Sequence, residues 1–297
     1  MNGIINLYKE KDISSFKQIR KLKDIFGKIK IGHTGTLDPI AQGVLVVCLG
    51  KTTRLAEYIQ AADKVYRVKM ILGLKTNSYD ISGEIENLEN SDFIDDKDIK
   101  EVIMSFLGKQ MQKPPIFSAK KVKGKRLYKY ALENKEVEIK KSPIEIFDIN
   151  NISIEKGSFE LYSVKTIKMD VYCSKGTYIR SLCHDIGLKL KTYGTMSELT
   201  RLSVGNFDLK DSLKVEDVKK HYDNSDLDSI FIPLEEIFDF DEIVLNDRDL
   251  LRFVNGIKIE CTKKDGEYFI KDEKNNIISL SIVTKGIIKN KVMLKDR

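Results

Sequence analysis

The sequence predicts an α+β protein: a mixed central β-sheet flanked by helices, with a small β-rich unit at its C-terminal end. Three observations predict it. Strand-like and helix-like stretches are interspersed without the regular succession that a parallel doubly wound sheet imposes. Residues 43–50, GVLVVCLG, are continuously apolar, as a strand buried on both faces is. From about residue 240 the chain changes to short alternating stretches separated by Asn255-Gly256, Asp265-Gly266 and Asn275-Asn276, which are turn pairs.

The elements follow in order. Residues 4–8 (IINLY) form a short strand. Ser14 or Ser15 can cap the next helix, whose Phe16, Ile19, Leu22, Ile25 and Phe26 share one face and whose stop is Gly27. Residues 31–43 are punctuated by glycine and have no period. After the 43–50 strand, a short helix starts at Thr52 and carries Leu55, Tyr58 and Ile59. Residues 65–72 alternate, with Tyr66, Val68, Met70 and Leu72 on one face and Arg67 and Lys69 on the other. A helix over 96–107 presents Ile99, Val102, Ile103 and Phe106, and ends at Gly108. Residues 109–141 then interrupt the pattern with Pro114-Pro115, many lysines and a short helical stretch, and read as an insertion. Residues 167–173 alternate with Ile167, Met169, Val171 and Cys173 inward, and SKGT ends that strand. A helix with Ile179, Leu182, Cys183, Ile186 and Leu190 at helical spacing follows. The division is a larger domain over 1–236 and a small one over 240–297, the latter near the lower size limit for independent folding.

Composition narrows the function classes. With 41% hydrophobic and 32% charged residues among 297, the chain is globular, and it holds no apolar run of about 20 residues to cross a membrane. The start, MNGIINLYKEKD, lacks a basic and apolar leader, so a cytoplasmic protein is expected. Net charge is only +6, but its distribution is uneven. Acidic residues gather in 84–101 and 223–249 while 109–141 is strongly basic, which suits a polyanion bound on one side. Cys48, Cys173, Cys183 and Cys261 form no C-x-x-C pair, and with only His33, His184 and His221 beside them they predict buried reduced thiols and no metal.

Four segments could carry chemistry. In Gly32-His33-Thr34-Gly35-Thr36-Leu37-Asp38-Pro39 the glycines allow tight turning, and Pro39 restricts Asp38 to extended conformations. Taken alone, Asp38 is either a turn cap or a carboxylate held at a sheet edge, and the glycine spacing fits neither a P-loop nor a dinucleotide fingerprint. Cys173-Ser174-Lys175-Gly176-Thr177-Tyr178-Ile179-Arg180 delivers Tyr178 and Arg180 to a helix start, where Arg180 either pairs with a carboxylate or faces solvent. Tyr66, in DKVYRV, either packs in the core or stacks on a base and moves a proton. The insertion interleaves Lys113, Lys120, Lys121, Lys123, Lys125, Arg126, Lys129, Lys140 and Lys141 with Phe117, Tyr128 and Tyr130, a mixture suited to RNA phosphates and exposed bases or to a solvated loop.

Together these segments resemble the TruB family, the stand-alone bacterial synthases that make pseudouridine at position 55 of the tRNA T loop. The matching motifs run in order through 1–236: GIIN-YK, GHTGTLDP-A-GVLVVCLG, T-R with DK-YR, LG--T---D--G at 72–83, PP-FSA-K--G-R-Y at 114–128, CSKGTYIR, and LTRL-VG at 199–205. The resemblance implies a pseudouridine synthase fold with a thumb-like RNA-binding insertion at 109–141 and a C-terminal PUA-like domain. It places the family's nucleophilic aspartate on Asp38, its stacking tyrosine on Tyr66, and the tyrosine and arginine beside the nucleophile on Tyr178 and Arg180. The histidine that fills the space left by the flipped nucleotide falls on His33, and an apolar residue packing on uracil falls on Leu199. Asp80 matches a family aspartate in the 72–83 motif. Two departures stand out. The family's K-P-x-G reads Lys9-Glu10-Lys11-Asp12, predicting a different entry loop, and the C-terminal part matches mainly through Phe253-Val254-Asn255-Gly256.

The implied reaction detaches uracil, turns it and rejoins it through C5, so no cofactor is required. In this reading Arg54 and the insertion, chiefly Lys120, Lys121, Lys123, Lys125 and Arg126, grip tRNA phosphates while the uridine is flipped out. Asp38 then attacks C1′, deprotonates C2′ or adds to C6, three routes that sequence does not separate. The implied partner is the tRNA T arm, met by a monomer without guide RNA or protein partner. Two rivals are a guide-RNA-dependent relative, which lacks the basic insertion, and a tRNA-folding chaperone or assembly factor, which has no need of Asp38, Tyr66, Tyr178 and Arg180 together.

Overall fold

The computed structural model describes residues 1–133 and 135–295. Among these, nine strands join in one mixed sheet: β1 (Gly3–Lys9), β2 (Ile31–His33), β3 (Gln42–Leu49), β4 (Lys64–Leu72), β5 (Gly108–Gln112), β6 (Ser142–Phe159), β7 (Tyr162–Cys173), β8 (Gly194–Val204) and β9 (Phe207–Asp208). Their spatial order is β1-β3-β8-β4-β7-β6-β5, with β2 also on β3 and β9 on β8. The pairings are antiparallel except β3 with β8, where Gln42 lies opposite Thr200 and Gly43 opposite Arg201.

Hydrophobic patterning decides what covers each face. On β1 and β3, Ile5, Leu7, Leu45 and Val47 pack under two helices, α1 (Ser15–Phe26) and a later one over Val215–Asp223. The opposite side of the same strands, Ile4, Val44, Val46 and Cys48, packs on Ile59, Val204 and Phe207. The apolar run of β3 is therefore buried on both faces. On β4 and β7 alternate residues form the main covered face: Val68, Met70, Ile167, Met169 and Val171 lie under α2 (Asp96–Met104) and α3 (Ile179–Lys189). Arg67 and Lys168, on the other face, meet solvent.

The second sheet comprises β10 (Asp241–Val244), β11 (Ile259–Glu260), β12 (Gly266–Lys271), β13 (Ile277–Thr284) and β14 (Ile287–Met293), in the order β10-β12-β13-β14-β11. It is the small β-rich C-terminal unit of the α+β fold, and it does not stand apart. Leu55 inserts among Phe269, Leu280, Val292 and Leu294, and Tyr58, Phe238, Phe240 and Phe269 meet largely edge to face. Among the described residues no helix is long and apolar enough to cross a membrane. Cys48, Cys173 and Cys183 are buried thiols, Cys261 is half-buried, and none is bonded to another.

Three boundaries differ from the sequence expectation. The helix expected over 96–107 ends at Met104, because Gly108, at φ 89°, already opens β5. Residues 108–112 thus belong to the main sheet through pairing with 142–146, and the basic excursion proper starts at Lys113. The hairpin of β6 and β7 extends back through 142–166, where no strand was expected: its outer part, including Glu155, Lys156 and Leu161, is exposed, so no inward–outward alternation marks it.

One glycine sets the seat of α3 on the sheet. A Cβ on Gly187 would come within 2.2 Å of the Gly194 amide nitrogen, backbone that cannot yield. Alanine normally favours a helix over glycine by about 1 kcal/mol. Here Gly187→Ala is expected to reverse that sign and destabilise by about 1–3 kcal/mol through overpacking. Urea unfolding checks this, and an unchanged or raised midpoint would disprove the close seating.

Candidate active site

The loop between β2 and β3 is pinned on both sides of Asp38. On one side Leu37 is buried, and the Ser15 hydroxyl accepts from its amide at 2.9 Å and donates to its carbonyl at 3.0 Å. Ser15 is available for this because Ser14 performs the helix cap, its hydroxyl accepting from the Lys17 amide. On the other side the Lys9 ammonium donates to the carbonyls of Pro39 (3.1 Å), Ala41 (2.5 Å) and Glu10 (3.0 Å). All three of its protons are thereby used, which permits an ammonium at 0% exposure. The Asp12 amide adds a second bond to the Pro39 carbonyl. Asp12 holds φ 64°, the left-handed conformation for which glycine is suited, so the altered entry loop keeps a glycine-type turn and braces the Asp38 segment directly.

Arg180 closes the arrangement from the first turn of α3. Its Nε meets Asp38 Oδ2 at 2.9 Å and its Nη2 meets Oδ1 at 2.9 Å, a bidentate fork. The second Nη2 proton goes to the Phe117 carbonyl at 2.9 Å, while Nη1 serves the Ser78 carbonyl at 3.1 Å and Asp80 Oδ2 at 3.2 Å. Asp80 is aimed in turn by Ser78 and Ser82, whose hydroxyls both donate to its Oδ1. Each guanidinium nitrogen thus has a carboxylate or carbonyl oxygen within 3.2 Å. Buried Asp80 and Arg180 form one network with Asp38, whose side chain stays 31% exposed.

Tyr66 and Leu199 lie on the covered face of β4 and β8, both buried. Leu199 is opposite Val68, and Arg201 is opposite Tyr66. Arg201 is 2% exposed; it donates to Val44 O at 2.7 Å and Gly35 O at 3.1 Å, and its guanidinium neighbours the Tyr66 phenol. The close approach of β3 to β8 at this point needs Gly43, at φ 105°, since a Cβ there would stand 2.3 Å from the Arg201 carbonyl. His33 ends β2, half-buried, and its Nδ1 accepts from the Gly35 amide at 3.3 Å.

Electrostatics follow from this packing. Burial pushes the Asp38 carboxyl above the usual range; Arg180 opposes this, Asp80 reinforces it, and Lys9 opposes it. Burial pulls Lys9 down to about 8 against the attraction of Asp38. Tyr66 is raised by burial with Arg201 opposing, Tyr178 is raised by burial, and His33 is lowered by burial and by Arg201. At neutral pH the imidazole is therefore held neutral and both phenols keep their protons.

The remaining expected residues divide. Tyr178 precedes α3, and Gln112 grips its backbone twice, accepting from its amide at 2.8 Å and donating to its carbonyl at 3.0 Å. Lys120 donates to Ser142 at 2.5 Å, and Lys125 pairs with Glu133 while lying over the Tyr130 ring. Lys121, Lys123 and Arg126 are exposed on or beside a small hairpin that starts four residues after Phe117. Arg54 is exposed on the 3₁₀ turn Gly50–Leu55, next to the second sheet, and is not among the groups converging on Asp38. Lys9, Ser15, Gln112 and Arg201 were not singled out as site residues. For two of them a signal exists: Lys9 continues the inward phase of Ile5 and Leu7, and Arg201 that of Leu199.

Comparison with known proteins shows the family of the chain. A model described as the TruB family pseudouridylate synthase N-terminal domain matches residues 23–179, and one described as the tRNA pseudouridylate synthase B C-terminal domain matches 180–239. The tRNA pseudouridine synthase B of Clostridium kluyveri is 38% identical over 289 residues, covering 95% of this chain and 96% of that protein. That of Thermosipho melanesiensis is 46% identical over 213 residues, covering 72% and 67%. In fold, the chain is similar to one from an H/ACA ribonucleoprotein bound to a substrate RNA, with TM-score 0.69 and 23% identity over 99% of this chain and 86% of that one.

The balance at Asp38 is measurable. A carboxylate NMR titration is expected to give a midpoint above the ordinary aspartate value. Arg180→Gln removes the larger opposing charge and moves the midpoint further up; Lys9→Met does the same by less. A midpoint that stays put or falls in Arg180→Gln would show that the fork does not hold Asp38 ionised.

Proposed function

Because the chain belongs to the TruB family and is a tRNA pseudouridine synthase, an isomerase, we propose that its substrate is uridine 55 in the T loop, reached by flipping that nucleotide out of the folded tRNA. The observation that carries the proposal is the single buried Arg180 fork holding Asp38 bidentately beside Tyr66 and Leu199. In this reading residues 1–236 hold the chemistry, residues 113–141 act as the thumb, and residues 240–297 add a PUA-like RNA contact.

The chemistry is an isomerisation. The N1–C1′ bond breaks, the uracil turns, C5 bonds to C1′, and the C5 proton is lost as N1 gains one. No electron or atom enters, so the protein has to supply a nucleophile, an orientation and a proton acceptor. Asp38, ionised against Arg180, starts the reaction. Leu199 and the ring of Tyr66 bracket the base, and the Tyr66 hydroxyl, beside the cationic Arg201, takes part in moving the C5 proton. Flipping costs a few kcal/mol. Phosphate contacts from Lys121, Lys123, Arg126 and Arg54 offset it, with Lys120 and Lys125 nearby, and neutral His33 enters the space left behind. The protein acts as a monomer in the cytoplasm without guide RNA, since its own basic excursion grips the substrate. Opening the tRNA elbow to reach the uridine also gives a tRNA-folding activity that does not depend on Asp38.

Tritium release from tRNA labelled at uracil C5 tests the assignment. Asp38→Asn, nearly isosteric, is expected to lower the rate more than about 1000-fold, as loss of a nucleophile does. Arg180→Lys keeps the charge but loses the fork, and about 100-fold is expected from misplacement of the carboxylate. Substantial turnover by Asp38→Asn would sink the nucleophile. Wild-type modification elsewhere in tRNA, with position 55 left as uridine, would sink the specificity.

A further inference from the structure

A feature outside the expected site residues lies against the Arg180 network. Tyr79 has φ 64°, in the left-handed region that an aromatic L-residue adopts only at a cost. The two residues flanking it, Ser78 and Asp80, both serve Nη1 of Arg180, one by its carbonyl and the other by its carboxylate. The turn at Tyr79 is what presents both acceptors to one nitrogen. The Tyr79 ring lies flat on His184, with centroids 3.9 Å apart and planes 8° from parallel. His184 stands four residues beyond Arg180 on α3, one turn along the same helix face. The backbone of Tyr79 is held on the sheet as well, its carbonyl accepting from the Met196 amide at 3.0 Å.

We propose that the Tyr79–His184 stack is a positioning clamp that fixes the 78–80 turn against α3 and so holds the Arg180 fork on Asp38. Neither ring is assigned a contact with substrate, and the inference rests on the reading of Asp38 as the nucleophile. The stack compensates for the strained backbone: with the ring removed, the turn can relax and its two acceptors drift from Nη1. An Arg180 freed on that side is free to rotate on the Asp38 side. The groups facing Asp38 are Arg180 from α3, Asp80 from the turn and Lys9 from β1; those facing the stacked rings are Asp185 from α3 and Lys75 and Glu86 from the hairpin of residues 74–88.

The test uses the full-length enzyme and a tRNA carrying the T arm, with single-turnover rates at saturating enzyme, steady-state KM, and rate against pH. Wild type is measured first: no pseudouridine formation would remove the functional reading itself, whereas the clamp is judged on variants of an active wild type. Tyr79→Ala and His184→Ala are expected to lower the rate about 10- to 100-fold, the scale of a misplacement of about 1 Å, with KM within about twofold of wild type. Their acid limb moves to higher pH, because a loosened guanidinium supports the Asp38 carboxylate less. Tyr79→Phe keeps the stack and stays near wild type, and the double alanine variant is no slower than the worse single one, since both break the same contact. Should Tyr79→Ala not fold, His184→Ala, which removes the stack and leaves the Tyr79 backbone untouched, carries the test with the same expectation. Wild-type rate and acid limb in a folded variant lacking the ring overturn the clamp. A raised KM with an unchanged rate overturns it too, making the rings an RNA contact.

Discussion

The constraint on which this structure depends is the burial of one guanidinium. Arg180 is 6% exposed at its side chain, and a cation so placed is tolerated only if its donors are matched. Its three nitrogens are met from three places: the Asp38 loop, the Ser78 and Asp80 positions of one turn, and the Phe117 carbonyl at the root of the basic excursion, with α3 delivering the arginine itself. None of these segments is near another in sequence. Shifting any one orphans a buried donor, at a cost of about 1–3 kcal/mol or more for a charged group. Loop geometry at Asp38 is therefore over-determined by partners rather than by the intrinsic stiffness of Leu37-Asp38-Pro39 alone.

A second buried cation works on the sheet side. Arg201 ties the β3 carbonyl of Val44 to that of Gly35 in the Asp38 loop, and stands next to Tyr66. Lys9 does the same from β1 toward Pro39 and Ala41. Arg180 and Lys9 thus face Asp38 while Arg201 faces Tyr66, and Lys9 and Arg201 are also struts between strand and loop. The same atoms that hold the fold also set the potential at Asp38. For this reason an activity change in a Lys9 or Arg201 variant has to be read together with its stability.

How much of this was legible in sequence depended on whether a residue acts through period or through convergence. The strands β3, β4 and the inner part of β7 were visible because their apolar residues repeat at the period of the face they bury. The outer hairpin of β6 and β7 was not, since exposure on both faces leaves no period to read. At the site, Asp38, Tyr66 and Arg180 stood out through motif resemblance, while their meeting is a property of the fold. Ser15 was invisible as a loop clamp because its neighbour Ser14 satisfies the same local cap rule. Tyr79 was invisible for a different reason. Nothing in a string of letters shows a left-handed tyrosine, and composition would have placed glycine there.

The arrangement sets stability against chemistry, and the direction of the Asp38 shift shows how. Burial favours the neutral acid, so an ionised Asp38 costs folding free energy as pH rises through its elevated value. A carboxylate fully solvated at the surface would avoid this cost, but it would be screened and free to rotate, with little leverage on a ribose or a base. Arg180 reduces the cost without removing it, because Asp80 sits on the same guanidinium and repels Asp38. Asp80 is needed all the same: without it Nη1 would keep only the Ser78 carbonyl, and the fork would lose its aim. Two carboxylates on one arginine are thus a compromise in which the weaker charge balance at Asp38 is accepted for a fixed direction, and the surrounding strands supply the rigidity that makes the direction useful.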